Sequence, residues 1–370
     1  MRPKSEICCV IPSLKAGGME RVMTELVNNF AKRENITVHL VLYGKGREIF
    51  YSINSKIITY SPHFEFKDNH RTISTIKTMR WLRMVIKKIN PIAILSFGEY
   101  WNNLVLLTLM GLSYPVFVSD RFQPDKKLGR THNFLRTHLY KKAKGIICQT
   151  TQAKNIILKK YAYKNVTVIG NPIRNIEKQG DIVKENIIIS VGRMINTKHF
   201  DRLVAVFSRL NVSSWKLLII GGDSNKQHIF DKLKAQIQVL NLEDKVQLEG
   251  YQTNVDEYLL RSKIFAFMSS SEGFPNVIGE AMSAGLPVVA YDCVAGPSEM
   301  IDDGKSGYLI PLYDDELFLE KLEFLISNEE EREKMAGYAK QHITKFDADI
   351  ISENFYQFIT GNTCSPLSFK

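Results

Sequence analysis

Ser269-Ser-Ser-Glu-Gly-Phe-Pro-Asn-Val-Ile-Gly-Glu280 follows the short apolar run Ile264–Met268 and leads into Ala281-Met-Ser-Ala284, Gly285 and Pro287. The pattern reads as strand, turn, helix, with Pro275 suited to open the helix and Gly285 to close it. Glu272 then stands in the loop at the carboxyl end of the strand, where open parallel sheets place their ligands. Glu280 stands one or two turns into the helix. Amides after Gly273 and Pro275, at Asn276 and Val277, suit an anion. Two carboxylates beside such amides suit a ligand with hydroxyls as well as phosphate, and a nucleotide sugar carries both. Any surface helix can supply two glutamates, so the pair needs support from the rest of the chain.

Upstream, the apolar run Ile187–Val191 leads into Gly192-Arg-Met-Ile-Asn-Thr-Lys198. Arg193 offers a planar fork at the strand end and Lys198 a point charge near the next helix, so the two can converge on one diphosphate. Leu217–Ile220 precedes the glycine turn Gly221-Gly222-Asp223, and Val246–Leu248 precedes Gly250-Tyr251. Strands and helices alternate throughout, which predicts parallel sheets. In the first half, Glu6–Ile11 runs into a loop containing Gly17 and Gly18, then a helix carrying Val22, Leu26 and Phe30 on one side. Glycines there let a loop pass close to a ligand. Val116–Ser119 leads into Asp120-Arg121-Phe-Gln-Pro124. His132 and His138 have no acid or cysteine at metal-ligand spacing and read as surface residues.

A chain of 370 residues with 44% hydrophobic and 24% charged residues suits two globular domains. No apolar run approaches the ~20 residues of a spanning helix. Five cysteines without framework spacing read as reduced thiols, with Cys148 and Cys293 buried beside strands. The net charge of +10 is divided unequally: residues 1–170 hold 28 Lys and Arg against 10 Asp and Glu, and residues 171–370 hold 21 against 29. A basic half of this kind suits a polyanion, either nucleic acid or an anionic membrane surface. On the predicted helix from Arg71 to Asn90, Met79, Leu82, Val85, Ile86 and Ile89 form a core stripe at 100° per residue. The opposite face gathers Arg80, Arg83, Lys77, Lys87 and Lys88 with Trp81, Met84 and Ile73. It reads either as a solvated charged face or as an interfacial surface that places cations at lipid head groups.

The Glu-x7-Glu spacing of Glu272 and Glu280 resembles retaining glycosyltransferases of the GT-B fold, and the words around it resemble glycosyltransferase family 4. Four regions carry the resemblance in order: the Gly17-Gly18-Met-Glu-Arg loop, Gly170-Asn-Pro-Ile173, Gly192–Lys198 and Ser269–Glu280. It implies two Rossmann-like, doubly wound parallel-sheet domains facing a central cleft that closes on the donor. Residues 1–170 would form the acceptor domain and 171–345 the nucleotide-sugar domain, with 174–185 as the linker between them. Residues 346–370 would hold a last helix, Ala348–Ile359, returning to the first domain. The resemblance assigns the donor diphosphate to Arg193 and Lys198, donor hydroxyls to Glu272 and the ribose to Glu280. Gly17, Gly18, Gly273, Phe274, Asn276 and Val277 would line the donor, and Tyr251 would meet the base. Many members of the family place a histidine where Arg121 stands, and here an arginine would neutralise charge near the donor or hold an acceptor phosphate.

Catalysis of this kind stabilises negative charge on the leaving diphosphate, which cations and helix amides do without a metal. No Asp-x-Asp stands in a suitable place, Asp347-Ala-Asp349 being near the tail, so no metal cofactor is expected. The expected partners are a UDP-sugar donor, a glycan or undecaprenyl-diphosphate-linked acceptor and an anionic membrane surface, with no nucleic acid. The expected place is the cytoplasm, peripheral to the inner face of the cell membrane. The Glu-Gly-Phe-Pro-Asn-Val and Gly-Pro-Ser-Glu phrases look like bacterial polysaccharide enzymes and lean towards galactose-type sugars. UDP-galactose, UDP-N-acetylgalactosamine, UDP-glucose and UDP-N-acetylglucosamine all stay open. Two other readings remain: a nucleotide-sugar epimerase of the same fold, which needs proton-moving acids and histidines, and a non-catalytic basic binding protein.

Overall fold

The computed structural model describes residues 5–45, 48–161, 163–177, 180, 182–223 and 227–361. The chain divides into two compact units, one of residues 1–172 with 348–370 and one of residues 173–347. In the first, β1 (Ser5–Ile11), β2 (Ile36–Leu42), β3 (Ile58–Tyr60), β4 (Ala93–Phe97), β5 (Val116–Ser119), β6 (Gly145–Cys148) and β7 (Val166–Val168) form one sheet. Its order is β3-β2-β1-β4-β5-β6-β7. In the second, β8 (Ile187–Val191), β9 (Lys216–Ile220), β10 (Val246–Gly250), β11 (Ile264–Phe267), β12 (Val288–Tyr291) and β13 (Gly307–Ile310) take the order β10-β9-β8-β11-β12-β13. Every pairing is parallel.

β11 and β12 are continuous apolar runs, Ile-Phe-Ala-Phe and Val-Val-Ala-Tyr, and all of their residues are buried. Burial on both faces is what a parallel sheet covered by helices imposes. Strand order reverses between β1 and β4 in one sheet and between β8 and β11 in the other. At such switch points the loops leaving the carboxyl ends diverge and open a crevice for a ligand. Both units are therefore doubly wound in the GT-B manner.

The helix Ala348–Thr360 belongs to the first unit. Phe355 lies 6.1 Å from Phe97 and Phe358 5.5 Å from Phe117, ring to ring. Glu353 pairs with Arg33, whose guanidinium stacks 4.1 Å from the Tyr356 ring. Residues 362–370 of the expected tail lie outside the described residues, as do 178, 179 and 181 of the expected linker. The rest of that segment is less free than a linker. Arg174 makes a two-pronged pair with Asp256 at 2.8 and 3.0 Å, and the Ile176 amide donates to Ser283 Oγ at 2.9 Å.

The helix Arg71–Ile89 buries Leu82, Val85, Ile86 and Ile89, as its periodicity predicts, but also Ser74 and Thr78, while Met79 is half-buried. Its opposite face needs correction. Trp81 is half-buried against the core that includes Val105 and Leu106 of the neighbouring helix Glu99–Thr108. Arg83 donates to the Thr108 and Met110 carbonyls at 2.7 and 3.0 Å, closing that helix's carboxyl end. Of the residues expected at a lipid surface, Ile73, Lys77, Arg80, Met84, Lys87 and Lys88 are exposed, with Ile76 beside them. His132 is also half-buried, edge-on to Tyr100 at 4.6 Å, while His138 is exposed. Cys148 and Cys293 are buried, like Cys8 and Cys9 in β1. Among the described residues, no helix is long and apolar enough to cross a membrane.

Candidate active site

In the second unit, the carboxyl ends of β8–β11 carry loops bound to one another by backbone. The Gly192 amide donates to Ile220 O at 2.9 Å, Met194 to Gly222 O at 2.9 Å and Gly221 to Gly250 O at 2.8 Å. A Cβ on Gly221 would stand 1.7 Å from the Gly192 carbonyl oxygen, so only glycine lets these two loops touch. From this platform Arg193 projects with its side chain exposed, and Tyr251, 64% exposed, stands beside Gly222.

The switch point between β8 and β11 brings the two strongest sequence motifs together. Thr197 O accepts from the Ser270 amide at 2.9 Å and from Ser269 Oγ at 3.1 Å. His199 takes the left-handed conformation (φ +48°), uncommon outside glycine, and its Nε2 meets Ser270 Oγ at 2.8 Å. Between these stitches Lys198 Nζ forms an ion pair with Glu272, each side chain 14% exposed, and lies 5.0 Å from the Phe267 ring centroid. A cation and a carboxylate, each desolvated and aimed at the other, thus stand where a ligand's phosphate and hydroxyls would compete for them. Gly296, in the loop after β12, backs this arrangement: a Cβ there would be 2.6 Å from Pro275 Cδ and 3.6 Å from Glu272 Cβ.

The helix Asn276–Ser283 begins one residue later than Pro275. Pro275 (φ −82°, ψ 78°) makes an inverse γ-turn, closed by the Asn276 amide donating to Phe274 O at 3.0 Å. The Asn276 amide is therefore engaged, and of the two expected at an anion only that of Val277 is without an acceptor among the described residues. Phe274 is likewise not a lining side chain, because it is buried with its ring 5.5 Å from Phe346. Gly273 and Val277 are half-buried. Glu280 is 6% exposed and lies 3.9 Å from Arg174, the arginine held by Asp256. Gly279, one residue before it, leaves no room for a Cβ beside Ile173.

In the first unit, the carboxyl ends of β4 and β5 enclose charge. Asp120 pairs with Arg136 and accepts from Tyr140 Oη at 2.7 Å. Arg121 is 9% exposed and stacks on Phe97, 3.7 Å from the ring centroid, with Nη1 donating to Asn171. Its Nε and Nη2 are buried without a hydrogen-bond partner among the described residues, so it is an internal cation and not a solvent-facing one. Burial pulls its pKa down to about 9. Glu99, which sequence reasoning missed, accepts the Arg121 and Phe122 amides at 2.9 and 2.7 Å on one oxygen while its other oxygen is buried without a partner among the described residues. Burial, with the charge of Asp120 adding to it, pushes this carboxyl up to about 7. Gly17 also departs from expectation: its amide donates to Tyr51 Oη at 3.0 Å, and that hydroxyl donates back to its carbonyl, with Gly18 opening the next helix. Among the described residues, no three His, Cys, Asp or Glu stand together to hold a metal.

Comparison with known proteins agrees with this geometry. The family described as Glycosyltransferase Family 4 matches residues 16–174, and that described as Glycosyl transferases group 1 matches residues 172–342. The chain is 27% identical over 344 residues to the amylovoran biosynthesis glycosyltransferase AmsD of Erwinia amylovora, covering 91% of this chain and 94% of that one. It is 24% identical over 362 residues to a Campylobacter jejuni alpha-1,4-N-acetyl-D-galactosaminyltransferase named for a diNAcBac-PP-undecaprenol glycan, covering 96% and 98%. The crystal structure of Anabaena Alr3699/HepE in complex with UDP and glucose superposes with a TM-score of 0.79 at 15% identity, covering 96% of this chain and all of that one. The chain therefore belongs to the glycosyltransferases of the GT-B fold, with a family 4 first half and a group 1 second half, similar to enzymes of bacterial surface-glycan synthesis.

Proposed function

We propose that the protein moves a hexose or N-acetylhexosamine from a UDP-sugar, with retention and without a metal, to a lipid-linked or polysaccharide acceptor at the inner face of the cell membrane. The observation that carries this reading is the Lys198–Glu272 pair at the β8/β11 switch point, with Arg193 on the same loop. The bound UDP and glucose of the Anabaena protein and the undecaprenol-linked glycan named for the Campylobacter enzyme support the kinds of donor and acceptor.

In this mechanism the donor diphosphate takes Lys198 from Glu272 and adds the fork of Arg193. Glu272 is then released to accept hydroxyls of the sugar, Glu280 holds the ribose, and Tyr251 meets the base. Gly273 and the Val277 amide complete the phosphate contacts. The bond from the anomeric carbon to the diphosphate oxygen breaks as positive charge develops on the sugar ring. Arg193 and Lys198 stabilise the negative charge left on the diphosphate. The acceptor oxygen bonds to the same face, and its proton passes to the departing diphosphate oxygen. Arg121, its backbone amide held by Glu99, is the cation assigned to the first unit. Arg80, Met84, Lys87 and Lys88, with Ile73 and Ile76, form the face that meets anionic lipid.

The test is a transfer assay over UDP-galactose, UDP-N-acetylgalactosamine, UDP-glucose and UDP-N-acetylglucosamine, with undecaprenyl-diphosphate glycans as acceptors and EDTA present. Acceptor-dependent UDP release from one preferred donor, with the donor's anomeric configuration kept in the product by NMR, is the expected result. Full activity in Arg193→Ala, Lys198→Ala and Glu280→Ala would overturn the site, and interconversion of UDP-sugars without any acceptor would point to an epimerase.

A further inference from the structure

The amino-terminal ends of β5–β7 lie at the sheet edge opposite the Arg121 loop and carry a cavity of about 620 Å³. Lys141, Lys142, Lys144 and Lys164 line it, together with Tyr114 and Tyr163, and among the described residues no acidic residue does. The Tyr163 hydroxyl is turned inward, donating to Arg136 O at 2.9 Å, which leaves its ring to form wall. All four lysines are exposed, and none makes an ion pair among the described residues.

The local sequence supplies almost nothing to balance them. Residues 101–170 hold 12 Lys and Arg against two acids, Asp120 and Asp125, and Asp120 is committed to Arg136 inside the unit. Ammonium groups around one cavity repel one another wherever they approach within the ~10 Å screening length at ordinary ionic strength. A fold that gathers four of them without a carboxylate is stabilised by whichever anion fills the space. Each ammonium offers three donors and no acceptor, which suits clustered phosphoryl oxygens better than a single carboxylate.

We propose that this cavity is a second anion site, distinct from Arg193 and Lys198, for phosphoryl groups that together bring two or more negative charges. The same chemistry belongs to a small polyphosphorylated solute and to neighbouring anionic phospholipid head groups, which bring one phosphodiester charge each. Binding of inorganic pyrophosphate by the full chain is measured calorimetrically with UDP present to fill the donor site. Flotation with phosphatidylcholine vesicles, with and without phosphatidylglycerol, is the second arm. The variant is Lys142→Ser/Lys144→Ser/Lys164→Ser, and the charge-matched control in the second unit is Lys216→Ser/Lys232→Ser/Lys234→Ser.

The expected result is saturable pyrophosphate binding that weakens at least tenfold in the variant and less than twofold in the control. Loss of phosphatidylglycerol-dependent flotation in the variant alone assigns the site to a lipid head group. Absence of both interactions in the native chain, or equal losses in variant and control, overturns the proposal. A measurement without substitutions guards against misfolding: pyrophosphate should protect Lys142, Lys144 and Lys164 from acetylation, read by mass spectrometry, relative to Lys232 and Lys234. Equal labelling with and without pyrophosphate, in a chain whose flotation is also indifferent to phosphatidylglycerol, overturns it as well.

Discussion

Lys198→Met separates two roles that the Lys198–Glu272 pair combines. Both side chains are 14% exposed, so the pair lies between a surface salt bridge, worth about 0–1 kcal/mol, and a fully buried one, whose breaking costs about 3–5 kcal/mol. Removing Lys198 strands a desolvated Glu272 carboxylate, and the expected loss of stability is about 2 kcal/mol. Glu272→Gln in the Lys198→Met background removes the stranded charge and should restore most of that loss. Transfer activity should behave differently. Losing one preorganised group that stabilises developing charge lowers turnover about 100- to 1,000-fold, and Glu272→Gln cannot recover it. Urea unfolding and transfer kinetics on the four members of the cycle are the assay. Activity recovering together with stability in the double variant would refute the reasoning, since Lys198 would then matter only as the partner of Glu272.

Glu99→Gln should flatten the pH dependence of stability. The Glu99 carboxyl is raised from 4.5 to about 7, so the fold favours its protonated form; the cost of ionising it is absent below pH 4.5, grows through the interval and is complete above 7. The variant should therefore gain on the native chain by up to about 3 kcal/mol between pH 4.5 and 8 in urea unfolding, and a constant difference would contradict this. Gly221→Ala places a Cβ 1.7 Å from Gly192 O and should abolish donor binding and lower the melting temperature, measured by calorimetry. His199→Ala should be less stable than His199→Gly by about 1 kcal/mol, because both lose the Ser270 contact but only alanine keeps the strain at φ +48°. Arg83→Ala should cost about 1–2 kcal/mol by leaving the Thr108 and Met110 carbonyls without their donor. Lys87→Ala/Lys88→Ala should instead leave stability unchanged and weaken binding to anionic vesicles.

The parallel sheets were legible because β11 and β12 are unbroken apolar runs and β8 is one but for Ser190, and a strand buried on both faces has no alternative composition. The strand-loop-helix settings of Arg193, Lys198 and Glu272 followed from the same runs. Periodicity misled where a second helix intervened. Trp81 and Arg83 sort with the polar face of Arg71–Ile89 when that helix is taken alone, yet Glu99–Thr108 packs there and takes both. Glu99 was hidden for a related reason: it reads as an ordinary first-turn acid until β4 and β5 pair and bring it under the Arg121 and Phe122 amides. Arg121 itself was seen, but burial depends on Phe97 and Phe355, the latter 234 residues later in the chain. The inverse γ-turn at Pro275 had a local cause, since proline fixes φ, but ψ is not set by composition.

Calorimetric titration of UDP into the native chain, Arg193→Ala and Glu280→Gln tests the central claim most directly, because it reads the donor site without requiring the acceptor. One UDP per chain, weakened at least tenfold by either substitution, is the predicted result. UDP that binds both variants as tightly as the native chain would contradict the account.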